Sequence, residues 1–174
     1  MSTARIRNPR DIQTQPAQNA RTGFLAVGCV FLLAGALSAV VNTAASFDHG
    51  WWLVAYLSLV GGLSQMLLGV GQYVLAERTQ SQTPPNTLPL AQLGLWSLGT
   101  VAVAAGDLAA ARTVLLVGGA LLLIDLVLFA VGLSRLKHKA ARRAVAWERC
   151  YAALLAFLAV SVLVGSSLAG ALPG

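Results

Sequence analysis

Between Trp51 and Ala76 the chain reads WWLVAYLSLVGGLSQMLLGVGQYVLA, with no charged residue. A helix needs about 20 apolar residues to cross a bilayer, so this stretch is long enough to span one. It also carries a pattern. Ser58, Gly62, Gln65, Gly69 and Gln72 follow at steps of four, three, four and three, which places them on one face of an α-helix. That face is small and polar; the remaining positions are Leu, Val, Met and Tyr. In lipid, such a face turns towards other helices or towards a solute.

The composition excludes a water-soluble fold. Of 174 residues, 57% are hydrophobic and 10% charged, whereas soluble domains carry about 25% charged residues. The expected fold is an all-α integral membrane bundle of five transmembrane helices. Residues 1–22 read as a disordered basic cytoplasmic tail, because Arg5, Arg7, Arg10 and Arg21 occur there without apolar periodicity. Residues 23–174 read as one transmembrane domain. A signal peptide is disfavoured, because the run from Gly23 to Ala45 outlasts a typical signal core.

The expected helices cover Gly23–Ala45, Trp51–Ala76, about Leu88–Ala105, about Thr113–Ser134 and Tyr151 to about Leu172. Trp51 and Trp52 suit an interfacial anchor. Pro84 and Pro85 break the second loop. The turn near Asp107 and Arg112 is short, so the third and fourth helices should form an antiparallel hairpin. Glycines recur every seven residues as Gly28 and Gly35, continued by Asn42, and again as Gly118 and Gly132 around Asp125.

Charge sets the expected orientation. Eleven of the twelve Lys and Arg residues lie in the N-terminal tail, the second loop and the segment Arg135–Arg149. The positive-inside bias puts those regions and the N-terminus in the cytoplasm and the C-terminus outside. The net charge of +6 is thus a topology signal rather than a nucleic-acid footprint. The basic segment also suits anionic headgroups. The expected location is the plasma (inner) membrane, crossed several times.

Asp125 is the one ionisable residue deep inside an apolar run. A carboxylate there costs a few kcal/mol or more. It reads either as a proton or solute station or as a hydrogen-bonded helix glue, with Gln65 the expected partner. Gln65, Gln72 and Asn42 complete the candidate solute or proton path; interhelical amide bonds are the plainer reading for the glutamines. Gly62, Gly69, Gly118 and Gly132 read as helix-packing positions, and Leu68 as lying on a more tolerant face. Cys29 and Cys150 read as reduced packing residues, not a disulfide. His49 and His138 fall on opposite sides of the membrane and cannot share a metal. Asp48, His49 and Asp107 can meet on the outer side. With no Cys/His cluster, phosphate loop or Ser-His pair, neither an enzyme nor a cofactor is expected.

The segment Gly61-Gly62-Leu63-Ser64-Gln65-Met66-Leu67-Leu68-Gly69-Val70-Gly71-Gln72-Tyr73 resembles the second helix of the acetate uptake transporters, the succinate–acetate permeases. That family shows Gly-Gly-x-x-Gln-x-x-x-Gly-x-x-Glu followed by an aromatic, and Gln72 stands at the Glu position. Val41-Asn42 and Gly94-Leu95-Trp96 resemble the end of the family's first helix and its Gly-x-Phe-Trp segment. The resemblance covers about Gly23 to Trp96. The family's Asn-Pro-Ala-Pro-Leu-Gly-Leu signature is replaced by Arg21-Thr22-Gly23-Phe24, its Asn-Thr-Phe-Gly run is reduced to Asn86-Thr87, and a sixth helix is missing. The resemblance implies transport of a small monocarboxylate. The expected function is accordingly a small-solute channel or transporter subunit, working as a homo-oligomer. The alternative is a non-catalytic subunit or scaffold within a larger membrane complex.

Overall fold

The computed structural model describes the backbone of residues 9–45, 49–79, 87–134 and 142–171, and side chains within 18–45, 49–78, 87–134 and 145–164. All regular structure there is helical. Helix α1 covers Pro9–Ala44. The second span is continuous but not uniform: α2 (Gly50–Tyr56) runs into a π-helical segment (Leu57–Ser64) and then α3 (Gln65–Thr79). Helices α4 (Thr87–Leu108), α5 (Arg112–Ser134) and α6 (Arg142–Ala171) follow. Five of these stretches are long and apolar enough to cross a membrane: Gln18–Ala44, Gly50–Arg78, Thr87–Leu108, Arg112–Ser134 and Val145–Val164.

The helices outlast the apolar runs at their polar ends. The N-terminal segment expected to be disordered is helical from Pro9 onward; residues 1–8 lie outside the described part. Proline suits a first helical position because its missing N–H would be unpaired there anyway. The basic segment expected as a loop to Arg149 enters α6 at Arg142. The α1 extension is rich in Gln, Ala and Arg and the α6 extension in Ala and Arg, which favour helix irrespective of hydrophobicity. Apolar periodicity was the wrong signal for these ends.

Several serine hydroxyls inside the spans bond within their own helices. Ser38 Oγ donates to the Ala34 carbonyl at 2.9 Å and Ser161 Oγ to Phe157 at 2.8 Å, a usual local solution for Ser and Thr within a helix. The outer surface is apolar: Leu33, Leu37, Val127 and Phe157 are each at least 60% exposed. Such a surface suits hydrocarbon and not water.

The core gathers Phe24, Leu68, Trp96, Leu122, Phe129 and Tyr151, one or more from every long helix. The Phe24 and Phe129 rings lie 6.3 Å apart at 52°, a favourable tilted geometry. Leu68 is fully buried, so its face is not the tolerant one expected. Cys29 and Cys150 are free but exposed on the bundle surface; neither packs in the core as expected.

Glycines set the closest approaches. Helices α4 and α5 form the expected antiparallel hairpin. A Cβ on Gly118 would sit 2.6 Å from the Val103 nitrogen and 2.9 Å from the Gly99 carbonyl, and one on Gly99 would sit 3.1 Å from the Gly118 carbonyl. Gly28 and Gly62 meet in the same reciprocal way between α1 and the π segment. Gly132, expected in the same seam as Gly118, faces open space and holds no helix. The hairpin turns through Ala110, whose φ of 49° lies in the left-handed region that L side chains avoid.

Candidate functional site

The polar face of the second span divides between two neighbours. Its small residues turn to α1. The space beside Gly35 is filled by Ser58 Oγ, that beside Gly62 by Leu32 and the Gly28 carbonyl, and that beside Gly69 by the Phe24 ring. Its amides turn to α4. Gln65 Nε2 donates to Ser97 Oγ at 3.2 Å, and Gln72 Nε2 donates to Gln92 Oε1 at 3.2 Å. Ser97 passes the chain on to the Leu93 carbonyl at 2.7 Å.

The π segment accompanies this division. Its wider i→i−5 hydrogen bonding appears also in Ser64, whose Oγ donates to the Leu59 carbonyl at 2.8 Å. The Val60 carbonyl is taken up from outside the span: Trp96 Nε1 of α4 donates to it at 2.9 Å. Trp96 is thereby held fully buried beside Gln92, Gly99 and Thr100 on one face of α4.

These contacts form a buried polar thread along the bundle. Gln72 and Gln92 lie nearer the end that carries Arg78, Gln65 and Ser97 lie in the middle, and Tyr56 and Thr100 lie nearer the end that carries His49. The thread is incompletely bonded. Gln65 Oε1, Gln92 Nε2 and Thr100 Oγ1 are buried without a hydrogen-bond partner. The Tyr56 hydroxyl faces Thr100, but the approach does not complete a hydrogen bond for either group. In hydrocarbon each unpaired polar atom costs several kcal/mol.

Asp125 lies on α5, with no exposed surface. Both carboxylate oxygens lack a hydrogen-bond partner. The expected Gln65–Asp125 pair does not form, because Gln65 is drawn to Ser97 on α4. The neighbour that senses Asp125 electrostatically is Tyr151 of α6, whose hydroxyl donates to the Leu68 carbonyl at 2.9 Å. Asn42 is 95% buried, but it stands apart from this group. It packs over Gly50 at the start of α2.

At the Gly50 end, His49 Nδ1 lies 3.4 Å from Asp107 Oδ2, linking the first and third connections. Two of the three outer residues expected to meet thus do so; Asp48 lies outside the described residues. Among the described residues, no group of three His, Cys, Asp or Glu side chains is placed to hold a metal.

Gln92, Ser97, Thr100, Tyr56 and Tyr151 were not singled out from the sequence as site residues. Gln92, Trp96, Gly99 and Gly106 do share a helical face in the sequence, and that face held the missing signal. Tyr56 and Tyr151 give no such sign, because tyrosines near helix ends read first as interfacial anchors.

No protein-family model, no curated protein and no solved structure matches this chain.

Proposed function

We propose that the chain is a small transporter or channel subunit in which the polar thread carries a proton or a small polar solute, with Asp125 as its ionisable station. The observation that carries this reading is the Asp125 carboxylate, fully buried with both oxygens unbonded. A residue kept only to glue helices satisfies itself against a neighbour, whereas an intramembrane carboxyl without a partner suits a relay. The unpaired atoms of Gln65, Gln92 and Thr100 supply further donors and acceptors along the same line. The resemblance to the acetate uptake transporters makes small monocarboxylates the first solutes to test. We place the chain in the plasma (inner) membrane with the N-terminus in the cytoplasm, on the strength of the Lys and Arg distribution. A reporter fused after Gly174 should then be active only outside the cytoplasm.

A second reading has its own support. The Gln65–Ser97 and Gln72–Gln92 bonds and the glycine contacts close the interior, as in a scaffold that packs within a larger complex. Flux from liposomes holding the purified protein separates the two. The transporter reading expects proton or monocarboxylate flux from the wild type, and folded Asp125→Asn protein that has lost it or lost its pH dependence. No flux of any solute, or unchanged flux in Asp125→Asn, would overturn it in favour of the scaffold.

A further inference from the structure

Helices α3 and α6 leave a groove of about 600 Å³ on the bundle surface, closed on one side by Leu25 of α1. Its walls include Leu67, Val70 and Val74 of α3 and Trp147, Cys150 and Leu154 of α6. The volume lies within the roughly 300–1,000 Å³ of single-ligand sites, yet the lining offers an occupant almost nothing polar. Tyr151 lines the groove too, but its hydroxyl is already committed to Leu68.

The charged surroundings say what fits. Helix α1 begins, α3 ends and α6 begins at the same end of the bundle. Arg21 stands one helical turn before Leu25, and Arg78 one turn after Val74, so each continues a groove-lining face outward. Both are exposed. Helix α6 carries Arg142 and Arg143 in its first turn at this end. Glu77 and Glu148 are the acids nearby, and they are outnumbered. Trp147, 53% exposed on the groove wall, suits the headgroup boundary.

We propose that this groove is a binding site for an anionic glycerophospholipid, with an acyl tail lying along Leu67, Val70 and Leu154 and the phosphate held at Arg21 and Arg78. An all-apolar slot whose lining faces continue outward to arginines matches a tail joined to an anionic head. A zwitterionic lipid satisfies the slot but not the arginines. The site is independent of any transport through the bundle interior.

The test uses the full chain with Trp51→Phe and Trp52→Phe, so that Trp147 is the exposed fluorophore. It is reconstituted either with tail-brominated phosphatidylglycerol as a minor component in phosphatidylcholine, or with the labels reversed. Brominated phosphatidylglycerol should quench Trp147 more strongly than brominated phosphatidylcholine at equal fraction. Each arginine near an anionic surface contributes about fivefold, so Arg21→Gln with Arg78→Gln should cut the preference by about 25-fold. Val70→Phe, which fills the slot, should reduce quenching by either lipid. Equal quenching by both lipids in the parent protein would overturn the proposal, as would a preference unchanged by the arginine substitutions. Disulfide crosslinking of Cys150 to Cys150 of a second copy, in a Cys29→Ala background, would assign the groove to protein and overturn it as well.

Discussion

The indole N–H of Trp96 donates to the Val60 carbonyl at 2.9 Å, tying α4 to the π-helical part of the second span. Trp96 is 1% exposed, so no water can replace it. Trp96→Phe keeps most of the packing but removes this hydrogen bond, which costs about 0.5–1.5 kcal/mol. Thermal unfolding in detergent should show the loss, and an unchanged midpoint would mean that the carbonyl finds another donor.

The glycine contacts rank a set of substitutions. Gly118→Leu should prevent the α4–α5 approach, because backbone atoms of Val103 and Gly99 occupy the space. Gly69→Leu should be nearly as damaging, since the Phe24 ring fills its site. Gly132→Leu, with nothing within 4 Å, and Leu67→Ile, 47% exposed, should both be tolerated. Yield of monodisperse protein after extraction measures the order. Equal yields of Gly118→Leu and Gly132→Leu would contradict the hairpin packing.

Gln72 and Gln92 can be tested as a pair. A double-mutant cycle with Gln72→Ala and Gln92→Ala should return a coupling of about 0.6 kcal/mol, the mean for interhelical hydrogen bonds in a membrane. Additive effects would indicate that each amide serves another partner.

Ala110 holds a left-handed conformation at the tip of the α4–α5 turn and is exposed. A left-handed L residue costs roughly 1–2 kcal/mol, part of which glycine returns as unfolded-state freedom. Ala110→Gly should therefore stabilise the protein by about 0.5–1 kcal/mol, read as a raised midpoint in the same unfolding assay.

Much of this architecture can be read from residue order alone. The five apolar runs, the tight turn after Asp107, the buried small and polar face of the second span and the burial of Asp125 all follow from hydrophobicity and spacing. What could not be read has physical causes. The steps from Ser58 to Gln72 assume an α-helical period throughout, and the π segment breaks that period between Leu57 and Ser64. The expected face also divides within the α-helical α3, where Gly69 meets Phe24 of α1 while Gln65 meets Ser97 of α4 instead of Asp125. Gly118 and Gly132 look equivalent in a heptad count, but only the arrival of α4 decides which of them is covered. Arg142 and Arg143 look like loop residues because charge hides helical propensity in an apolar search.

The π segment also changes what the length of the second span means. A π turn holds a residue more than an α-helical path between the same two points would need. Ser58 can remain over Gly35 while Gln65 remains over Ser97, because the surplus is taken up between them. Shortening the chain by a single residue within 57–64 would let the segment close into ordinary α-helix with both ends still in phase. The loss would fall on the local geometry around the Val60 carbonyl. For this span, the number of residues and the number of turns are separately adjustable.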